Sequence, residues 1–168
     1  MISTWQMRLV LFAIAGLFAC GDDPDETCSP EGFADNEGVV AGTPLGPFAR
    51  AALITPDPRP FGGVAWALEL DEGAGECGQP GPGRRVSILF CDTPATGVYD
   101  ISVASAFRCP SEKIVAILED DRGMDLAEAI GGSVTVEYAG GCVAGTYELQ
   151  LGSDQISGSF DAVVCLPE

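Results

Sequence analysis

Between residues 38 and 165, hydrophobic side chains recur at every second position in short bursts. That is the period of a β-strand with one buried face. In "GVAWALEL", Val64, Trp66, Leu68 and Leu70 fall on one face, with Ala65, Ala67 and Glu69 on the other. "RVSILFC" (85–91) groups Val86, Ile88 and Phe90, and "VYDISV" sets Tyr99, Ile101 and Val103 against Asp100 and Ser102. "SVTVEYA" sets Val134, Val136 and Tyr138 against Ser133, Thr135 and Glu137. "KIVAILE" (113–119) is apolar almost throughout, which predicts a well-buried strand. "GVVAG" and "FARAALI" supply two weaker strands ahead of these. Only "MDLAEAI" (124–130) reads as a helix, and a short one.

The breaks between these segments are rich in glycine and proline. With 22 Gly and 12 Pro in 168 residues, tight turns interrupt the chain too often for long helices. A run of eight or nine short strands without a helix-period stripe excludes βαβ architecture. The expected fold is all-β: an antiparallel β-sandwich of jelly-roll or Greek-key type, with disulfides and at most one short helix.

The last two strands predict a register. In "CVAGTYELQLGSDQISGSFDAVVC", a two-residue turn at Ser153-Asp154 sets Val143, Tyr147, Leu149 and Leu151 opposite Val164, Phe160, Gly158 and Ile156. Gly145 then faces Ala162, while Thr146, Glu148, Gln150, Ser157, Ser159 and Asp161 occupy the polar face. A one-residue slip would destroy that segregation. The same register places Cys142 opposite Cys165, within reach of a disulfide. Cys28, Cys77, Cys91 and Cys109 allow three pairings, of which Cys77–Cys91 with Cys28–Cys109 is one.

The seventh cysteine stands apart. Leu9–Phe18 is an apolar run behind Arg8, and Ala19-Cys20 follows it. Ten helical residues span about 15 Å, half the hydrocarbon layer of a bilayer, so the run fits a secretory signal better than a transmembrane anchor. The end of the run, "LFAC", resembles the bacterial lipobox, with Phe18 departing from its usual small middle residue. The resemblance implies cleavage before Cys20, diacylglycerol on its sulfur and acylation of the new amino terminus. Several acyl chains would give stable anchoring. Gly21, where an inner-membrane lipoprotein often carries Asp, resembles the outer-membrane type. The expected organisation is a signal peptide over 1–19, an acidic tether over 20–37 and a folded domain over 38–168. The tether reading rests on seven acids, no base and few large apolar residues beyond Cys20.

Charge and composition narrow the chemistry. Eight basic residues against 25 acidic ones give a net charge of −17, which disfavours nucleic acid as a partner. The chain has no histidine, which removes Ser-His-Asp and Cys-His catalysis. Neither a Walker motif nor a GxGxxG turn leading into a helix is present. Glu119, Asp120, Asp121, Asp125 and Glu128 form the densest acidic cluster, a weak candidate for Ca²⁺ and otherwise a solvated turn. Trp66 shares its face with Val64, Leu68 and Leu70, which favours a core position over a sugar-stacking platform.

The C-terminal stretch "GGSVTVEYAGGCVAGTYELQLGSDQISGSFDAVVC" resembles a recurring pattern in uncharacterised lipoproteins of large-genome Gram-negative bacteria. The matching residues are Gly132, Val134 and Val136, then Gly145, Thr146, Tyr147 and Leu149, then Gly158, Ser159, Phe160, Ala162 and Cys165. The resemblance implies a disulfide-bonded β-sandwich without an assigned activity. Together these readings predict a non-catalytic, monomeric envelope protein without a cofactor. It would be held at the outer membrane through lipid on Cys20 and act in interaction or structure with an unidentified protein or glycan. The alternatives are a carbohydrate- or Ca²⁺-binding module and, last, a carboxylate-dependent hydrolase.

Overall fold

The computed structural model describes residues 32–57, 65–77, 79, 81–103, 113–139 and 142–165. The expected signal peptide and Cys20, Cys28 and Cys109 lie outside them. Twelve strands form among the described residues, and no helix does. They are β1 (Phe33–Ala34), β2 (Glu37–Val40), β3 (Thr43–Pro44), β4 (Arg50–Asp57), β5 (Ala65–Asp71) and β6 (Arg85–Phe90). The remainder are β7 (Gly97–Ile101), β8 (Lys113–Glu119), β9 (Asp125–Glu128), β10 (Gly131–Ala139), β11 (Cys142–Leu151) and β12 (Asp154–Cys165).

One sheet closes on itself where two facing sheets were expected. The hydrogen-bonded order runs β11-β10-β7-β8-β6-β5-β4-β12, and β12 pairs back onto β11 to complete a ring. Neighbours in the ring are antiparallel except β7–β8 and β4–β12, which are parallel. Strand β12 is long enough to serve several partners along its second edge. Residues 156–157 pair with β2, 160–161 with β1, and 163–165 with β4. An eight-stranded ring is just wide enough for side chains to fill its interior. Here Leu53, Leu68, Leu70, Ile88, Phe90 and Leu118, with Leu149, Ile156 and Phe160 from the far wall, form one buried cluster.

The domain starts earlier than the composition suggested. Phe33 and Ala34, read as tether, pair with Asp161 and Phe160, and Ala34 is buried. The short acid-flanked segment orders because β12 offers it unpaired backbone groups, and pairing satisfies them.

"MDLAEAI" is the second correction. It is strand β9, paired with β8 through Ile117–Glu128 and Leu118–Ala127. Ala127 packs against the core and Ala129 is buried in it, while Leu126 and Ile130 are exposed. A two-turn helix is marginal on its own, and the open edge of β8 offered the backbone a better set of partners.

Strands β4, β5, β6 and β8 are buried on their outward faces as well. Ala67, Leu89, Val115 and Ile117 form a second cluster outside the ring, with Cys91 packed against it. That double burial is why "KIVAILE" lacks polar alternation. Trp66, opposite Phe90, packs against the inner cluster as expected of a core residue.

The C-terminal hairpin has the expected faces and a different register. Val143, Tyr147, Leu149, Leu151, Ile156, Phe160 and Ala162 are all buried. The turn, however, is Gly152-Ser153, so Leu151 pairs with Asp154 and Cys142 with Val163. Gly152 has φ 65°, the positive value a type II′ hairpin asks of its first turn residue. Cys165 therefore overshoots Cys142 and bonds to Cys77 instead, with a Cα–Cα distance of 5.3 Å. The expected Cys142–Cys165 bridge and the alternative Cys77–Cys91 pairing are both replaced by this one. Cys91 and Cys142 are in disulfides too.

Candidate functional site

The outward faces of β4, β5, β6 and β8 carry more than hydrocarbon. Strand alternation places Arg50, Glu69, Asp71, Arg85, Ser87 and Glu119 on the same outer wall. All are buried except Arg85, which is partly so. Register brings them together: Arg50 lies opposite Asp71, Asp71 opposite Arg85, Glu69 opposite Ser87, and Arg85 opposite Glu119.

The pairing is dense. Arg50 Nη1 donates to Asp71 Oδ2 and lies 3.6 Å from Glu69 Oε2. Arg85 Nε donates to Glu119 Oε2 at 2.9 Å, and Ser87 Oγ donates to the same oxygen at 2.8 Å. Burial pushes the Asp71 carboxyl above its usual range, against the opposing pull of Arg50. Burial also weakens the Arg85 charge, but Glu69 and Glu119 outweigh it and hold its pKa above the ordinary value. A closely packed ionic network of this kind fixes the geometry of the wall; its net stability is modest because five charges have left water.

Beside this network lies a cavity of about 310 Å³. The loop after β5 supplies Ala74, Gly75, Glu76 and Cys77, while Ala49, Arg50 and Val163 form the opposite side. The Cys77–Cys165 disulfide ties that loop to the end of β12 across a separation of 88 residues. A second clamp holds the base of the loop. Glu72 accepts from Arg84 Nε at 3.0 Å, from Arg84 Nη2 at 2.6 Å and from the Gly46 backbone at 2.9 Å. Burial opposes ionisation of Glu72, but these hydrogen bonds together hold its pKa below the usual value.

Within the cavity wall Arg50 is only 2% exposed, and its Nη2 has no hydrogen-bond partner among the described residues. Asp71 Oδ1 is likewise buried without a hydrogen-bond partner. Sequence reasoning missed this site, because Arg50, Glu69 and Asp71 lie on two different strands. The one signal available was charge at alternating positions in otherwise apolar strands, with Glu69 and Asp71 both breaking the outer face of β5.

The acidic cluster anticipated for Ca²⁺ is dispersed. Glu119 is buried and engaged with Arg85 and Ser87. Asp120 closes a turn, accepting from the backbone of Arg122 and Met124 at 2.9 Å each, and the Met124 bond leads in holding its pKa low. Asp121 and Asp125 are exposed and Glu128 half-buried. Among the described residues, no group of three or more such side chains is placed to hold a metal ion.

A smaller cavity of about 200 Å³ lies between Phe90, Asp92 and Tyr99. Phe90 and Tyr99 meet edge to face at 5.1 Å, and the Tyr99 hydroxyl is bonded to the Ala95 backbone. These contacts account for both rings as packing. No family model, curated protein or solved structure matches the chain.

Proposed function

We propose that this chain is a lipid-anchored, non-catalytic domain of the bacterial cell envelope, held at the outer membrane through Cys20 and acting there by binding or in structure. The supporting observation is the state of its cysteines. Cys77, Cys91, Cys142 and Cys165, all of those among the described residues, are in disulfides. Bridges of this kind persist in oxidising compartments and are rare in reducing ones. The sequence holds seven cysteines, so complete pairing leaves one over. Cys20, directly behind the apolar run and "LFA", is the one assigned to lipid.

Mass spectrometry of the membrane-extracted protein tests the reading. The expected mature chain begins at Cys20 and carries diacylglycerol and an amide-linked acyl chain. A Cys20→Ala variant is expected to leave the membrane fraction. An intact chain beginning at Met1, or an unmodified Cys20, would overturn the proposal.

A further inference from the structure

We propose that the Cys77–Cys165 disulfide is a redox switch, opened by exchange with a dithiol reductant, that governs whether the seam between β12 and β4 stays fastened. This does not depend on the lipid anchor. The bridge joins unlike partners: Cys77 is exposed on the loop after β5, whereas Cys165 is buried at the end of β12. The other described cysteines are less open to attack. Cys142 is buried, and Cys91 is half-buried against the outer cluster. Exchange needs a thiolate to reach a sulfur from solvent, so the bridge with an exposed end is the labile one.

Both ends of the bridge depend on it. The loop is closed at its stem, where Glu72 clamps Arg84 and a Cβ on Gly73 would collide with the Pro82 carbonyl. Beyond the stem, Ala74, Glu76, Cys77 and Gln79 are exposed, and the Glu76–Gln79 backbone pairing stays within the loop. At the other end, β12 runs past β11 after Val163. Among the described residues, Val164 and Cys165 therefore pair only with Leu53 and Ile54 of β4. That short parallel seam closes the ring. In the exchange, one thiolate of the dithiol attacks Cys77 Sγ, the S–S bond breaks, and Cys165 leaves as a thiolate that takes a proton from water. The second thiol, deprotonated, attacks the mixed disulfide on Cys77, closes the reductant's own disulfide and releases the Cys77 thiolate, which is protonated in turn. The dithiol is oxidised and the bridge reduced by the same two electrons. The loop then swings from its stem, the end of β12 frays from β4, and the cavity between Ala74–Cys77 and Val163 opens.

The test is graded reduction of the full, disulfide-bonded chain without denaturant, using dithiothreitol, a quench with N-ethylmaleimide and peptide mass spectrometry. Cys77 and Cys165 are expected to be blocked about ten-fold faster than Cys91 and Cys142, with the far-ultraviolet circular dichroism unchanged. With the monothiol glutathione, the trapped adduct is expected on Cys77. Amide exchange of the selectively reduced chain should rise at 74–77, 163–165 and 52–54, while β5 and β6 stay protected. Oxidised glutathione should restore both the bridge and the protection. Blocking of Cys91 or Cys142 as fast as Cys77, or an adduct on Cys165 in place of Cys77, would overturn the proposal. So would loss of the β-sheet signal as the bridge opens, or amide exchange unchanged by reduction, either of which would make the bridge a structural cross-link alone.

Discussion

Tyr147 stands directly opposite Gly158 across the β11–β12 pair. One such pair further along, Gly145 faces Phe160. Each aromatic ring thus covers a residue without a side chain, a pairing that fills the interior without crowding it. A Cβ at Gly158 would meet the Tyr147 hydroxyl at 2.8 Å and would collide with the Asp35 carbonyl. Gly158→Val is therefore expected to cost about 3 kcal/mol, read as a lowered midpoint in thermal denaturation. A variant as stable as the parent would mean that the strands pair in another register.

The Tyr147 hydroxyl reaches the Asp35 carbonyl at 2.7 Å and Asn36 Oδ1 at 2.9 Å, and Asn36 in turn donates to the Leu45 carbonyl at 2.6 Å. Burial pushes the phenol well above its ordinary pKa. Tyr147→Phe keeps the ring and removes the bond, so a loss of about 1–2 kcal/mol in urea denaturation is expected. Hydrogen exchange should rise first at residues 33–40, the segment this hydroxyl fastens to the ring.

The Cys77–Cys165 bridge closes a long loop. In the chain-entropy account, a separation of 88 residues corresponds to about 4–5 kcal/mol. The paired Cys77→Ser and Cys165→Ser variant should show most of that loss. Non-reducing peptide mapping of the parent should recover Cys77 joined to Cys165; a peptide joining Cys142 to Cys165 would contradict the hairpin register.

Arg50 and Asp71 form the most deeply buried ion pair of the outer wall, at 2% and 1% side-chain exposure. Arg50→Met alone strands a buried carboxylate and should cost about 3–5 kcal/mol. Adding Asp71→Leu should restore at least half of that loss, because the pair's desolvation penalty is removed with it. A double variant no more stable than the single one would show that the wall depends on the charges themselves.

Two carboxylates should give opposite pH signatures. The folded-state pKa of Asp71 lies above its unfolded value of 3.8, so its stabilising term is present below that pH and is lost as pH rises through the folded value. Asp71→Asn, which mimics the protonated acid, should accordingly lie nearest the parent in acid and gain on it as pH rises through that window. Glu72 lies below its unfolded value of 4.5, so its term is present above that pH and is lost as pH falls through the folded value. Glu72→Gln should cost about 1 kcal/mol near neutrality and converge with the parent in acid. Stability curves of both variants between pH 2 and about 8 would show whether the slopes oppose each other.

Much of the fold was legible in the chain. Period-two alternation located β5, β6, β7, β10 and the C-terminal hairpin, because one buried face forces apolar residues to every second position, and an almost unbroken apolar run located β8, which is buried on both faces. It also sorted the faces of β11 and β12 correctly while missing their register. A displacement of partners by two residues returns every side chain to the same face, so hydrophobicity alone cannot distinguish Tyr147 opposite Phe160 from Tyr147 opposite Gly158. The turn decided it, through the positive φ of Gly152.

The Arg50 site was not legible for a related reason. Its members come from β4, β5, β6 and β8, and their meeting depends on which strands become neighbours. By itself the sequence determined an all-β chain with short strands, an oxidised set of cysteines and no histidine chemistry, since composition and local periodicity carry that information. Only the tertiary structure decided that the sheet closes into a ring, that Cys165 meets Cys77, and that a buried arginine borders a cavity. Those outcomes depend on long-range backbone pairing, which satisfies edges and aligns residues far apart in the chain, and no local pattern specifies the partner.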